Sequence, residues 1–267
     1  MKITVMLPAY NEEKDLPGLL VRIQEALENW ADYQVLVVDD GSHDRTAQIV
    51  RDAAARMPVT LIQHPVNMGL GAAIRTGLKA ASRFDGVIVT LDADNSQDPA
   101  LIRAMVDKID QGYAVVIASR FQPGSQEVGV PLYRLFLSHA SSAGIRMIVR
   151  YPGARDYTCG FRAYRVDVIR ELIARFGDNF LRENGFACML ELLLNVRRLS
   201  APVTEVPLIL RYDLKEGASK MRVLRTMRRY VVTVTRGFLP LARVPAAETP
   251  EPAALDVGSG ALSPHDR

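Results

Sequence analysis

From Ile3 to Arg120 the chain alternates short apolar runs with segments of helical period, and this alternation narrows the fold to the α/β class. The runs are Ile3–Leu7, Gln34–Val38, Val59–Gln63, Val87–Leu91 and Ala114–Ala118. They are continuous and β-branched, as in a sheet buried on both faces. Pro8 is expected to stop the first of them. Between the runs, Leu16, Leu19, Leu20, Ile23 and Leu27 recur at helical spacing. Further helices are predicted over Ala47–Arg56, over Leu101–Ile109, and over Asn67–Ala81, where a glycine turn leads into an alanine-rich stretch. Strand, helix, strand with short connections means βαβ units, parallel neighbours and right-handed crossovers.

After Arg120 the pattern loosens. Gln122–Gly129 reads as a polar loop and Tyr133–Val149 as a helix. Arg155–Arg165 is strand-like around Cys159-Gly160-Phe161, and Val166–Phe176 and Phe186–Asn195 look helical. Val203–Leu210 reads as a strand, placed at an edge by Pro207. From Lys220 the chain is basic and helical, with Arg222, Arg225, Arg228 and Arg229 set against Val223, Leu224, Met227, Tyr230, Val231 and Val234. That segment fits a core-facing helix with a solvated cationic side, and equally an interfacial helix on anionic lipid. The final stretch, rich in Pro, Ala and Gly, has no period and is expected to be disordered.

Four strand ends carry special residues: Pro8-Ala9-Tyr10-Asn11-Glu12, Asp39-Asp40-Gly41-Ser42, Asp92-Ala93-Asp94 and Ser119-Arg120. Each alone is a turn. Parallel neighbours would bring all four to one rim, where open α/β sheets bind their ligands. Asp92 and Asp94 are hard oxygen donors that suit Mg²⁺ held jointly with substrate phosphates. Asp39 and Asp40 can take hydrogen bonds from a base or a ribose. Asp98-Pro99 reads as an N-cap and first helical residue. Gly69-Leu70-Gly71 lacks the third glycine of a dinucleotide fingerprint, so close packing of its helix is the expected use.

Several classes are excluded. A net charge of +3 gives no case for nucleic acid. The two cysteines, Cys159 and Cys188, form no disulfide framework, and the four histidines are scattered, which argues against zinc. No apolar run reaches the ~18–20 residues of a membrane span, and Met1–Pro8 has no signal-peptide character. The expected setting is cytoplasmic, either free or peripheral at the inner face of the membrane.

Leu7-Pro8-Ala9-Tyr10-Asn11-Glu12-Glu13, Val37-Val38-Asp39-Asp40-Gly41-Ser42, the Asn67–Ala81 segment and Leu91-Asp92-Ala93-Asp94 together resemble the family 2 glycosyltransferases of the GT-A fold. Asp156–Tyr164, Glu205-Val206-Pro207 and Gly217-Ala218-Ser219-Lys220 look like the dolichol-phosphate mannosyltransferase, or polyprenyl-phosphate glycosyltransferase, branch. The resemblance runs in order from about Ile3 to Arg222. It implies a Rossmann-like GT-A domain over 1–219, a mostly parallel sheet with a mixed acceptor-side region. A basic amphipathic helical segment over 220–243 and a disordered tail over 244–267 would follow.

The resemblance also implies an inverting hexosyltransferase that moves mannose or glucose from GDP-mannose or UDP-glucose to a dolichyl or undecaprenyl phosphate. Pro8, Ala9, Tyr10 and Glu12 would line the nucleotide pocket, with Val38, Asp39 and Asp40 at base and ribose. Asp92 and Asp94 would hold Mg²⁺ or Mn²⁺ on the diphosphate, beside the Ala93 backbone. Arg120 and Lys220 would meet phosphates. The branch carries Gln two residues after the second Asp; here that position is Ser96, and Gln97 beside it becomes the candidate third ligand. The branch's Arg before the Gly-x-Ser-Lys motif is Leu214, which leaves Arg211 and Lys215, with Ser219, as acceptor-phosphate candidates. A lipid phosphate needs no base, whereas a soluble or glycan hydroxyl acceptor would need one, with Asp156 as the candidate. A partner protein that binds nucleotide sugar without turnover is the alternative from another class.

Overall fold

The computed structural model describes residues 2–217 and 223–237. The predicted runs form β1 (Lys2–Ala9), β2 (Asp32–Asp39), β3 (Val59–Gln63), β4 (Val87–Thr90) and β5 (Val115–Ser119). Between them lie α1 (Leu16–Leu27), α2 (Thr46–Ala53), α3 (Leu70–Ala81) and α4 (Leu101–Asp110). All five periodic residues of α1 are buried, and each contributes about 1.5–3 kcal/mol by leaving water. The second half supplies β6 (Gln126–Val128), α5 (Leu132–Val149), β7 (Arg162–Arg165), α6 (Val166–Phe176) and α7 (Cys188–Arg197). It ends with β8 (Val203–Pro207), β9 (Ile209–Arg211) and α8 (Val223–Gly237).

The main sheet has the order β3-β2-β1-β4-β7-β5-β8. Its ladders are parallel except on both sides of β7, which runs antiparallel to β4 and β5. Two antiparallel steps restore direction, so β1, β2, β4 and β5 still end on one rim. β7 begins there, which delivers the preceding 156–161 segment to the same rim.

Four expectations change. β1 continues through Pro8, which pairs with Val38, because the β4 ladder stops at Met6 and asks no N–H of Pro8 on that side. The 122–129 loop contains β6, and the single strand expected over Val203–Leu210 breaks after Pro207 into β8 and β9. β6 and β9 pair as a separate parallel ribbon, while β8 takes the sheet edge. Helix α4 starts at Leu101, as its period predicted, so Pro99 lies in the turn before the helix and is not its first residue. Asp98 still caps the turn before it, accepting the Ala100 N–H at 3.1 Å.

Helix α3 approaches β1 closely through its small residues. A Cβ on Gly77 would stand 2.6 Å from Met6 Sδ. α8 is helical as expected, with Thr226, Thr233 and Val234 buried and Val231 exposed. It packs on α7 and α5, so its inner face lies against the protein.

Candidate active site

A cleft of about 870 Å³ opens at the shared rim. Pro8, Ala9, Tyr10, Glu12, Asp40, Asp92, Ala93, Asp94, Gln97, Arg120 and Lys215 all line it. Val38 and Asp39 lie beneath its surface, both fully buried. Arg211 points elsewhere and pairs with Asp213 at 2.8 Å. Ser219 and Lys220 lie outside the described residues.

The acidic turn is held from outside by α1. Arg22 Nη1 donates to the Asn95 carbonyl and to Asn95 Oδ1, at 3.2 and 2.8 Å, and its Nη2 pairs with Asp98. Asn95 takes a left-handed φ of 57°, a conformation Asn tolerates well. Ser96 Oγ donates to Asp94 Oδ1 at 2.6 Å. Gln97, the expected third ligand, is turned onto Asp92. Its Oε1 accepts the Asp92 N–H at 3.1 Å and its Nε2 donates to Asp92 Oδ2 at 2.8 Å. Both ends of the amide orient Asp92.

Burial, and then the neighbouring Asp94 charge, push the Asp92 carboxyl up to about 7. Lys215 Nζ sits on the other carboxylate, 2.5 Å from Asp94 Oδ2. Lys215 thus sets an ammonium against the acidic pair, whose donors are all oxygen. They fit a hard divalent ion. Among the described residues no group of three Asp, Glu, His or Cys side chains could hold a metal. Coordination beyond Asp92 and Asp94 would therefore fall to substrate phosphates and water, as is usual for Mg²⁺.

Asp39 and Asp40 are occupied by the protein itself. Asp39 accepts the Ser42 N–H and Gln63 Nε2, at 3.1 and 3.0 Å. Asp40 Oδ1 takes the Met68 N–H at 2.9 Å and lies 2.7 Å from His64 Nδ1, while its Oδ2 takes the Gly69 N–H at 2.8 Å. Asp40 thus builds the 67–69 turn that lines the cleft.

Arg120 lines the same cleft. Its Nε and Nη2 clasp Asp156 at 2.7 Å each, Nη2 also reaches Thr158 Oγ1 at 2.7 Å, and Nη1 donates to Ser138 Oγ at 2.8 Å. Asp156 has no exposed surface. It accepts the Arg120, Thr158 and Cys159 N–H groups as well. Burial works against its charge, but the Arg120 guanidinium and these hydrogen bonds outweigh it and hold the carboxyl at about 2. A saturated carboxylate of that strength is a poor general base, so Asp156 positions Arg120 instead. Glu205 supports it in turn, accepting the Arg155 and Asp156 N–H groups at 2.5 and 2.7 Å.

Some lining residues lie outside the motifs. Ser138 and Ser141 come from α5, Arg182 to Phe186 from the loop before α7, and Thr226, Met227, Arg229 and Tyr230 from α8. Buried Glu183 ties two of these parts together, since Arg229 Nε donates to its Oε2 at 2.8 Å. A basic helix was visible in the sequence; that its inner face closes the cleft depends on its packing against α7.

The family described as glycosyl transferase family 2 matches residues 4–173. A dolichol-phosphate mannosyltransferase of Pyrococcus furiosus is 32% identical over 208 residues, 78% of this chain and 56% of that protein. The chain thus spans little more than half of that relative. A polyprenol monophosphomannose synthase of Mycolicibacterium smegmatis is 31% identical over 220 residues, 81% of this chain and 80% of that one. Among solved structures, glucosyl-3-phosphoglycerate synthase from Mycobacterium tuberculosis, in complex with Mn²⁺, UDP and phosphoglyceric acid, matches with a TM-score of 0.66. It is 20% identical, and the match covers 90% of this chain and 79% of that one. The fold is GT-A, and the chain is a glycosyltransferase that belongs to glycosyl transferase family 2.

Proposed function

We propose that the protein transfers a hexose, mannose or glucose, from a nucleotide-diphosphate sugar to a polyprenyl phosphate with inversion at the anomeric carbon. The observation that carries this reading is the pairing, within one cleft, of an acidic cation site with a guanidinium fixed by a buried carboxylate. The first suits a donor diphosphate and the second an anionic acceptor. Pro8, Ala9, Tyr10 and Glu12, with the turn built by Asp40, would enclose the nucleotide. Asp92 and Asp94 would hold Mg²⁺ or Mn²⁺. Such an ion, when bound, supplies Lewis-acid neutralisation of the leaving diphosphate.

Arg120, with Ser138 and Thr158 beside it, would orient the acceptor phosphate toward the anomeric carbon. That phosphate is already ionised, so the step asks no proton of the protein, in keeping with an Asp156 that has no basicity to offer. The named relatives from Pyrococcus and Mycolicibacterium support a lipid-phosphate acceptor. No described helix is long and apolar enough to cross a membrane. α5 nevertheless exposes Leu132, Tyr133, Met147 and Ile148 on the helix that carries Ser138, which supports a peripheral seat beside lipid.

The test is incubation with radiolabelled GDP-mannose or UDP-glucose, Mn²⁺ and polyprenyl phosphate, followed by solvent extraction. Label is expected in the organic phase, and Asp94→Ala is expected to abolish it with an unchanged circular dichroism spectrum. Label that never leaves the aqueous phase, for any nucleotide sugar, sinks the lipid acceptor. Full activity in the variant removes the role given to Asp94.

A further inference from the structure

Residues 212–217 form a strap beside the acidic turn, held there by the Lys215 side chain and by two backbone amides. Lys215 Nζ donates to Asp94 Oδ2 at 2.5 Å. The Lys215 side chain is 9% exposed and that of Asp94 18%, so the pair is largely withdrawn from solvent. The second fastening is Asp15, buried at the start of α1. Its Oδ1 accepts the Glu216 N–H at 2.9 Å and its Oδ2 the Gly217 N–H at 3.0 Å. No catalytic motif contains Asp15, and its carboxylate is turned to the strap rather than to the cleft.

The first fastening conflicts with the proposed chemistry. Lys215 places a full positive charge on the oxygen that a divalent ion would use, and an ammonium and a metal ion cannot both sit on Asp94 Oδ2. One contact must give way to the other.

We infer that Lys215 is the resident counter-ion of the acidic pair, exchanged for the divalent cation, and that this exchange unfastens the 212–217 strap, with Asp15 as the second latch. The inference rests on the reading of Asp92 and Asp94 as a cation site. Linkage makes it quantitative: whatever loosens the strap tightens cation binding, and the cation loosens the strap by the same free energy. A strap fastened about nine-tenths of the time weakens apparent cation affinity about tenfold.

The experiment uses Mn²⁺ alone, with no donor and no turnover. Free Mn²⁺ is followed by electron paramagnetic resonance for the wild type, Lys215→Met and Asp15→Ala. Amide exchange at Glu216 and Gly217 is measured with and without Mn²⁺. In the wild type Mn²⁺ is expected to speed exchange at both amides. Both variants are expected to bind Mn²⁺ about tenfold more tightly, since each removes one fastening of the competing strap.

Asp15→Ala decides between the strap and simple charge. Removing a carboxylate weakens cation binding if only charge matters, and tightens it if the strap competes. Affinity equal to or weaker than wild type, in an Asp15→Ala protein that melts like wild type, overturns the inference. Should that variant not fold, Lys215→Met carries the test. Its two amides are expected to exchange fast without Mn²⁺ and to respond no further, so a retained Mn²⁺ response overturns the inference. A wild type that binds no Mn²⁺, with or without UDP, overturns the cation site itself. A wild type that binds Mn²⁺ without any change at Glu216 and Gly217 overturns only the strap.

Discussion

Asp156 spends every oxygen lone pair inside the protein. Its carboxyl is depressed from 3.8 to about 2. A depressed acid stabilises the folded state above its unfolded value and loses that contribution as pH falls through the folded one. The shift is worth on the order of 2 kcal/mol, present above about pH 4 and gone near pH 2. Asp156→Asn leaves Arg120 with a buried, unanswered charge and is expected to cost about 3–5 kcal/mol at neutral pH. Urea unfolding checks both parts: the gap between wild type and variant should be largest near neutrality and narrow toward about pH 3. Equal stability at neutral pH would remove the positioning role. At this scale the sequence marked strand-end residues that meet at one cleft, as at Asp92, Asp94 and Arg120. It was silent on Ser138 and Thr158, hydroxyls in ordinary local surroundings that matter only because a guanidinium comes to meet them.

Among the elements, α3 is the tightest joint. A Cβ on Gly71 would fall 1.8 Å from the Glu183 carbonyl oxygen, and the Gly71 N–H donates to the Asn184 carbonyl at 2.9 Å. Gly71→Ala must therefore push apart the α3 start and the 182–186 loop, two walls of the cleft. We expect a loss of about 1–3 kcal/mol, typical of overpacking, together with weaker nucleotide binding. Thermal melts and a nucleotide titration check both, and an unchanged melting temperature refutes the joint. The glycine–alanine pattern announced a close approach but not its partner, because spacing within one helix says nothing about which loop returns to it. The β6–β9 ribbon escaped notice for another reason. Gln126-Glu127-Val128 is too short and too polar to display a period, and only pairing with Ile209–Arg211 makes it a strand.

Across the whole molecule, the cleft joins parts distant in the chain: the ends of β1, β2 and β4, the 156–160 segment, the 182–186 loop and α8. A ligand that touches them all should stabilise the protein cooperatively. UDP- or GDP-sugars with Mn²⁺ are expected to raise the melting temperature, with about 2.7 kcal/mol of stabilisation at a hundredfold excess over the dissociation constant. A thermal-shift screen over both bases checks this and names the donor; no shift with any of them contradicts the donor site. The parallel half of the fold was legible because alternation and right-handed crossovers leave few options. The antiparallel insertion of β7 was not, since Arg162-Ala163-Tyr164-Arg165 has the same local character whichever way it runs.

That insertion also sets a timetable for the growing chain. β4 pairs with β1 along one side as soon as both exist, but its other side faces β7 alone, through Val87 to Arg165 and Thr90 to Arg162. Until those residues leave the ribosome, β4 is an open edge. β5 is made earlier than β7, yet it has no place in the sheet without it. The first half is thus complete in everything but one bare flank while the second half is still being made, and bare flanks invite pairing between molecules. Defects in β7 should therefore surface as protein lost to aggregation during synthesis, before any effect on catalysis is seen.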